Sequence, residues 1–140
     1  MKKIILIKLA LIVLLLNLIW EFSHYGLYTD LTGIPSILHL IIASLTDLVL
    51  ISLIFLIISV FRKNMGWIEG PKRSDYFIII LFGIIIAAII EVYSLSNGRW
   101  AYTNLMPTIF GIGISPLIQL FTTAILSIIL VRIIFVHYQN

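Results

Sequence analysis

The sequence predicts an all-α protein, a polytopic membrane bundle of four transmembrane helices. Three observations carry that expectation. The 140 residues are 61% hydrophobic and only 11% charged, with a mean hydropathy of +1.18, whereas a soluble domain carries about 25% charged residues. Such a chain cannot cover a water-facing surface. Its apolar residues fall into four stretches, each close to or above the ~20 residues that a spanning helix needs. Backbone groups cannot go unpaired in lipid, which selects helices over open strands.

The first helix is expected over residues 4–22. Lys2 and Lys3 precede it, as in a signal peptide. Lys8 interrupts the apolar run, however, no A-x-A-like site follows, and the run leads into Asn17, Trp20 and Glu21. It is therefore expected to stay as an uncleaved helix. The second helix is expected over 35–61, long enough to tilt, the third over 76–95 and the fourth over 115–136. Together they form a single membrane domain.

The connections fix an expected orientation. Residues 62–75 hold Arg62, Lys63, Lys72 and Arg73, whereas residues 96–114 hold Arg99 as their one basic residue. The positive-inside rule places Lys2, Lys3, the 62–75 loop and Arg132 in the cytoplasm, with both termini. The loops 23–34 and 96–114 then face outward, and the cell membrane is the expected location. Met65–Trp67, among basic neighbours, reads as an interfacial anchor.

This topology gathers the polar residues of all four helices at one depth, on the outer side. Trp20 and Glu21 end the first helix there, and Pro35 and His39 begin the second. Glu91 lies near the end of the third, and Pro116 and Gln119 begin the fourth. The chain also echoes itself. Glu21, Gly26, Tyr28-Thr29-Asp30-Leu31 and Pro35 are matched by Glu91, Gly98, Tyr102-Thr103-Asn104-Leu105 and Pro116. Two helix pairs of equal orientation would make a 2+2 parallel repeat about the membrane normal. Chance matches in a biased composition are the competing reading.

Several chemistries are excluded or unsupported. With no cysteine, there are no disulfides, thiolate nucleophiles or cysteine metal sites. A net charge of +3, spread over helix ends, does not indicate nucleic acid. There is no P-loop, dinucleotide fingerprint or G-x-S-x-G, so no cofactor is expected. Glu21, His24, His39, Asp47 and Glu91 are metal-binding types, but no HExxH or paired-histidine spacing accompanies them, and no metal is expected.

Asn17, Glu21 and His24 share a helix face at i, i+4, i+7. That face either points into the bundle or meets the wet interface. His39 and Asp47 lie on one side of the second helix, with Asp47 approaching the membrane middle, where an ionisable group is a functional candidate. Hydrogen bonding between helices is its structural alternative. Glu91 is the strongest candidate. It follows an apolar run containing Gly83, Ala87 and Ala88, which suit close helix packing. A carboxyl there can donate or accept a proton, unless Arg99 neutralises it. Gly98-Arg99-Trp100-Ala101-Tyr102 sits in a long loop, and long ordered loops are often functional. A folded cap over the bundle is expected, with a plain aromatic belt as the alternative.

Glu91, Gly98-x-Trp100-x-Tyr102, Gly111 and Pro116-Leu117-Ile118-Gln119 resemble the membrane-embedded lycopene cyclase domain of carotenoid synthesis. That family places an acidic residue seven before Gly-x-Trp-x-aromatic, then a glycine, then a Pro-x-Glu-Glu or Pro-x-Glu-Gln helix start. Asn17-x-x-Trp20-Glu21 echoes its Asn-x-x-Trp-acid motif. Ile118 departs from the family's glutamate. The chain is also similar to small four-helix bacterial membrane proteins that share Trp-Glu at the first helix end and Gly-Arg-Trp-x-Tyr before Met-Pro.

The resemblance implies a protein that binds, and transforms, an isoprenoid or other lipid. Glu91 would be the proton donor or acceptor, with Glu21 and Asp47 as partners. Trp20, His39, Arg99, Trp100, Tyr102 and Gln119 would bind the substrate, and aromatic faces would stabilise a cation. Two other readings stay open: a small proton-coupled transporter using Asp47 and Glu91, and a structural or regulatory subunit. Small-residue helix faces would serve assembly, including a homo-oligomer.

Overall fold

In a computed structural model, which describes residues 2–30 and 35–136, four helices dominate. They are α1 (Lys2–His24), α2 (Ser36–Arg62), α3 (Arg73–Ser96) and α4 (Ile114–Val131). All four are long and apolar enough to cross a membrane. The 27 residues of α2 extend about 40 Å at 1.5 Å per residue, more than the ~30 Å hydrocarbon core. The expected helices are all present. α3 begins earlier than expected, at Arg73, and α4 passes after Val131 into a π-helical turn, Arg132–Val136. Residues 31–34 of the expected 23–34 loop, and the last residue positions, lie outside the described residues.

The packing is inverted relative to a soluble bundle. On α1 the large side chains Ile4, Ile7, Leu11, Leu15 and Ile19 form one outward stripe, while Asn17 is fully buried. Ser44, Gln119, Thr123 and Ser127 are buried as well. Polar residues thus sit between helices and apolar ones face outward, as lipid requires. The end that carries the basic loop has an apolar centre built by Val13, Ile51, Ile54, Ile58, Ile79, Ile128 and Val131.

The 62–75 connection is tied down rather than spread along an interface. Lys63 ends α2 in the left-handed conformation, φ 46°. Its N–H meets Val60 O, and the Asn64 N–H meets Ser59 O, the paired bonds of a Schellman ending. Asp75 accepts the Lys72 N–H at 2.7 Å and pairs with Arg62 at 2.5 Å, which satisfies the start of α3. The expected anchor at Met65–Trp67 divides. Met65 is exposed, whereas Trp67 is buried, donates to Ser59 Oγ at 3.0 Å and packs edge-on to Phe55. An indole N–H that finds a buried acceptor need not seek the water boundary.

At the other end the loops fold into a cap. β1 (Tyr28–Asp30) pairs antiparallel with β2 (Trp100–Tyr102), Tyr28 facing Tyr102. β3 (Thr108–Ile109) pairs with β4 (Ile112–Gly113). The expected ordered cap is therefore present, but as two short ribbons. Ribbons supply the backbone pairing that a segment without helical periodicity otherwise lacks.

α3 and α4 are the most closely packed helices. A Cβ on Gly83 would lie 2.9 Å from Phe121 Cβ and 3.0 Å from Phe121 N. Gly→Ala at an open helical position gains about 1 kcal/mol. Gly83→Ala is expected to reverse that sign and lose about 1–3 kcal/mol by overpacking. Thermal unfolding in detergent checks this, with the exposed substitution Ile84→Val as the unaffected control.

Candidate functional site

The polar face of α1 meets the polar face of α4. Gln119 stands at the centre. Its Nε2 donates to Glu21 Oε1 at 2.6 Å and to Asp47 Oδ2 at 2.6 Å, with Asn17 Oδ1 at 3.4 Å. An amide nitrogen carries two hydrogens, so the two short contacts use them. One side chain thereby joins α1, α2 and α4. Asn17 is held by its own bond to Val13 O at 2.9 Å, and its Oδ1 also receives Thr123 Oγ1 at 3.3 Å. Glu21 extends the network to His24 at 3.3 Å, and the other ring nitrogen of His24 reaches Ser115 Oγ at 2.7 Å. Of the two settings open for this α1 face, the inward one is observed.

Glu91 on α3 is met by the cap. Tyr102 O–H donates to its Oε2 at 2.5 Å, Trp100 Nε1 to Oε2 at 3.4 Å and Tyr28 O–H to Oε1 at 3.4 Å. Tyr102 is itself oriented, because its oxygen accepts the Gly113 N–H at 2.9 Å. Gly113 allows that approach: a Cβ there would lie 2.9 Å from Met106 Sδ and 3.1 Å from the Tyr102 ring. Pairing of Tyr28 with Tyr102 across the ribbon places both phenols over one carboxyl. Burial pushes both phenols above their ordinary pKa, with the Glu91 charge and hydrogen bond adding to the shift. Both therefore stay protonated donors at physiological pH.

These groups surround one cavity of about 220 Å³. Seven of the nine expected site residues line it: Glu21, Asp47, Glu91, His39, Arg99, Trp100 and Gln119. Tyr102 stands behind Glu91 as its donor rather than in the lining. Trp20 is also outside the lining. Its ring lies edge-on to His24 at 6.4 Å, and its Nε1 is buried with no hydrogen-bond partner. Arg99 is exposed and makes no ion pair with Glu91 among the described residues; three neutral donors meet that carboxyl instead. Ile118 is partly exposed and absent from the lining, so the carboxyls come from α1, α2 and α3.

The cavity opens sideways. Ile42 and Thr46, one turn apart on α2, both line it and are both exposed. α2 packs less closely against α3 than against α1. Ile42 and Thr46 carry the lining out to the exposed flank of α2. Sequence reasoning missed Ser94, Ser115 and Tyr28 as site residues. Ser94 follows Glu91 at i+3 on the same face, a signal that was present; Ser115 and Tyr28 enter through tertiary contacts. No group of three or more His, Asp or Glu is placed to hold a metal ion among the described residues.

A phenol with a raised pKa stabilises the fold below about pH 10, its unfolded value, and that contribution is lost as pH rises further. The melting temperature is expected to fall above about pH 10, and to fall less steeply in Tyr102→Phe, which has no proton to lose there. At neutral pH the same variant loses about 1–3 kcal/mol, because the Gly113 N–H and Glu91 lose a partner. Thermal unfolding across pH checks both expectations.

Comparison with family models, with curated proteins and with solved structures finds no match to this chain.

Proposed function

We propose that this chain is a multi-pass protein of the cell membrane that binds an isoprenoid or other lipid at the Glu21–Asp47–Glu91 cavity. The observation that carries the reading is the joint placement: three carboxyls from three helices line one cavity, and its lining runs out to Ile42 and Thr46 on the exposed flank of α2. A lipid can enter such a site without leaving the bilayer. Pockets that enclose a whole ligand run to roughly 300–1,000 Å³. The 220 Å³ here suits the polar end and first carbons of a chain whose remainder stays in lipid.

The same arrangement supports carboxyl acid–base chemistry on the bound lipid. Glu91 is held in a fixed position by oriented donors, which favours transfer of a proton at a defined atom. Glu21 and Asp47, joined through Gln119, are its partners. The resemblance to the lycopene cyclase domain supports this direction, with the carboxyl set moved away from position 118.

The transporter reading has less support. Between this cavity and the basic-loop end stands the packed apolar centre of Ile51, Ile54, Ile58, Ile79 and Ile128, each essentially unexposed. A second cavity at that level is lined mainly by apolar residues such as Leu6, Leu9, Val13 and Phe55. The clustering of Arg62, Lys63, Lys72 and Arg73 at one end supports an orientation with both termini in the cytoplasm. The duplication is supported by the pairing of Tyr28 with Tyr102, equivalent residues in the two echoing segments.

Mass spectrometry of co-purified lipids tests the reading. Wild type is expected to enrich a lipid or isoprenoid relative to the host membrane, and Glu91→Gln to reduce that enrichment severalfold. If nothing is enriched and the variant changes nothing, the reading fails.

A further inference from the structure

The cavity has a chemical sign. Its lining holds the carboxyls of Glu21, Asp47 and Glu91, and Arg99 is the one permanent cation among the described lining residues. No lysine or arginine ion pair reaches any of the three carboxyls among the described residues. Their partners include the Gln119 amide, the Trp100 indole, two phenols and His24, and Asp47 and Glu21 also bond to each other. His24 and His39 also face the cavity. In apolar surroundings such a carboxyl set is stabilised further by a cation.

An independent observation comes from Ser94. It is 1% exposed, lines the cavity, and its Oγ has no hydrogen-bond partner. Serines in these helices usually bond back to the carbonyl four residues earlier, as Ser44, Ser52 and Ser59 do. A buried hydroxyl without a partner costs stability, and this one lies on the same α3 face as Glu91 and Ala87, both in the lining. It offers a free acceptor beside the carboxyls. The rings of Tyr28, His39 and Trp100 stand around the same space, and aromatic faces also attract cations.

We propose that the polar end of the bound lipid is a protonated amine, held by the carboxyls of Glu21, Asp47 and Glu91 and by the hydroxyl of Ser94. The assignment rests on the lipid-binding reading above and names its ligand class. A bare metal ion fits poorly, because the cavity holds the volume of about seven waters at ~30 Å³ each and opens to the apolar side. An ammonium group on an alkyl chain meets both requirements: its charge is matched by the surrounding carboxyls, its three N–H bonds find acceptors among those carboxyls and Ser94 Oγ, and its chain leaves past the exposed Ile42 and Thr46. A carboxylate or phosphate head would meet three acidic side chains and gain no counter-charge from them.

Native mass spectrometry of the protein in lipid nanodiscs, with added dodecylamine, dodecanol or dodecanoate, tests this. Dodecylamine is expected to be retained at least tenfold more than the other two. Glu91→Gln and Asp47→Asn should each lower its retention roughly tenfold, the scale of one charged hydrogen bond. Ser94→Ala should lower it severalfold while the melting temperature stays level or rises, since no existing bond is lost. The variants are read in parallel, with helical content and melting temperature as the folding controls. If dodecanol or dodecanoate is retained as well as the amine, or if none of the folded variants changes the preference, the amine assignment is overturned and the lipid reading stands. If none of the three probes is retained, both fall.

Discussion

The structure turns on the amide of Gln119. Two carboxyls on two helices approach one nitrogen, and its two hydrogens serve them both. Without that donor, Glu21 and Asp47 would each lose a hydrogen-bond partner, and a buried polar group left unpaired costs about 1–3 kcal/mol. With it, α1, α2 and α4 are held at a common depth. α2 packs less closely against α3 than against α1, and residues of both line the cavity. Gln119 thus acts as both a structural joint and a wall of the site.

Glu91 is handled differently. No helix offers it a strong donor; the cap does. The ribbon of β1 and β2 exists where the chain must bring two tyrosines and a tryptophan over one carboxyl. The order of effects is clear from the geometry. The turn at Gly113 lets its N–H reach Tyr102, Tyr102 then donates to Glu91, and Glu91 faces the cavity. A loop that looks like an aromatic belt in the sequence is a set of aimed donors in the structure.

The two ends of the bundle serve opposite ends. At the basic-loop end, Arg62 with Asp75 and Trp67 with Ser59 satisfy buried polar groups locally, and isoleucines fill the centre. At the capped end, polar groups are satisfied across helices and space is left over. Trp67 shows how far composition can mislead: a tryptophan among basic residues reads as a membrane-surface anchor, yet a hydroxyl eight residues earlier on α2, Ser59 Oγ, takes it inside. Trp20 is the reverse case. It was expected in the pocket with Glu21, but one residue along a helix is about 100° of rotation, and it stands behind His24 instead.

The sequence by itself determined the four helices, their approximate bounds and the gathering of polar residues toward one end of the bundle. Those follow from hydropathy and from the cost of unpaired backbone in lipid, which are local properties of each segment. The shared faces of Asn17 with Glu21, and of His39 with Asp47, were legible for the same reason, since helical rotation is fixed. Only the tertiary structure decided which faces meet. That Gln119 joins Glu21 to Asp47, that Tyr28 lies opposite Tyr102, that Ser94 is left without a partner and that the cavity lining reaches the exposed Ile42 and Thr46 all depend on how the helices pack. Periodicity assigns a residue to a face; contact between faces is a property of the whole bundle.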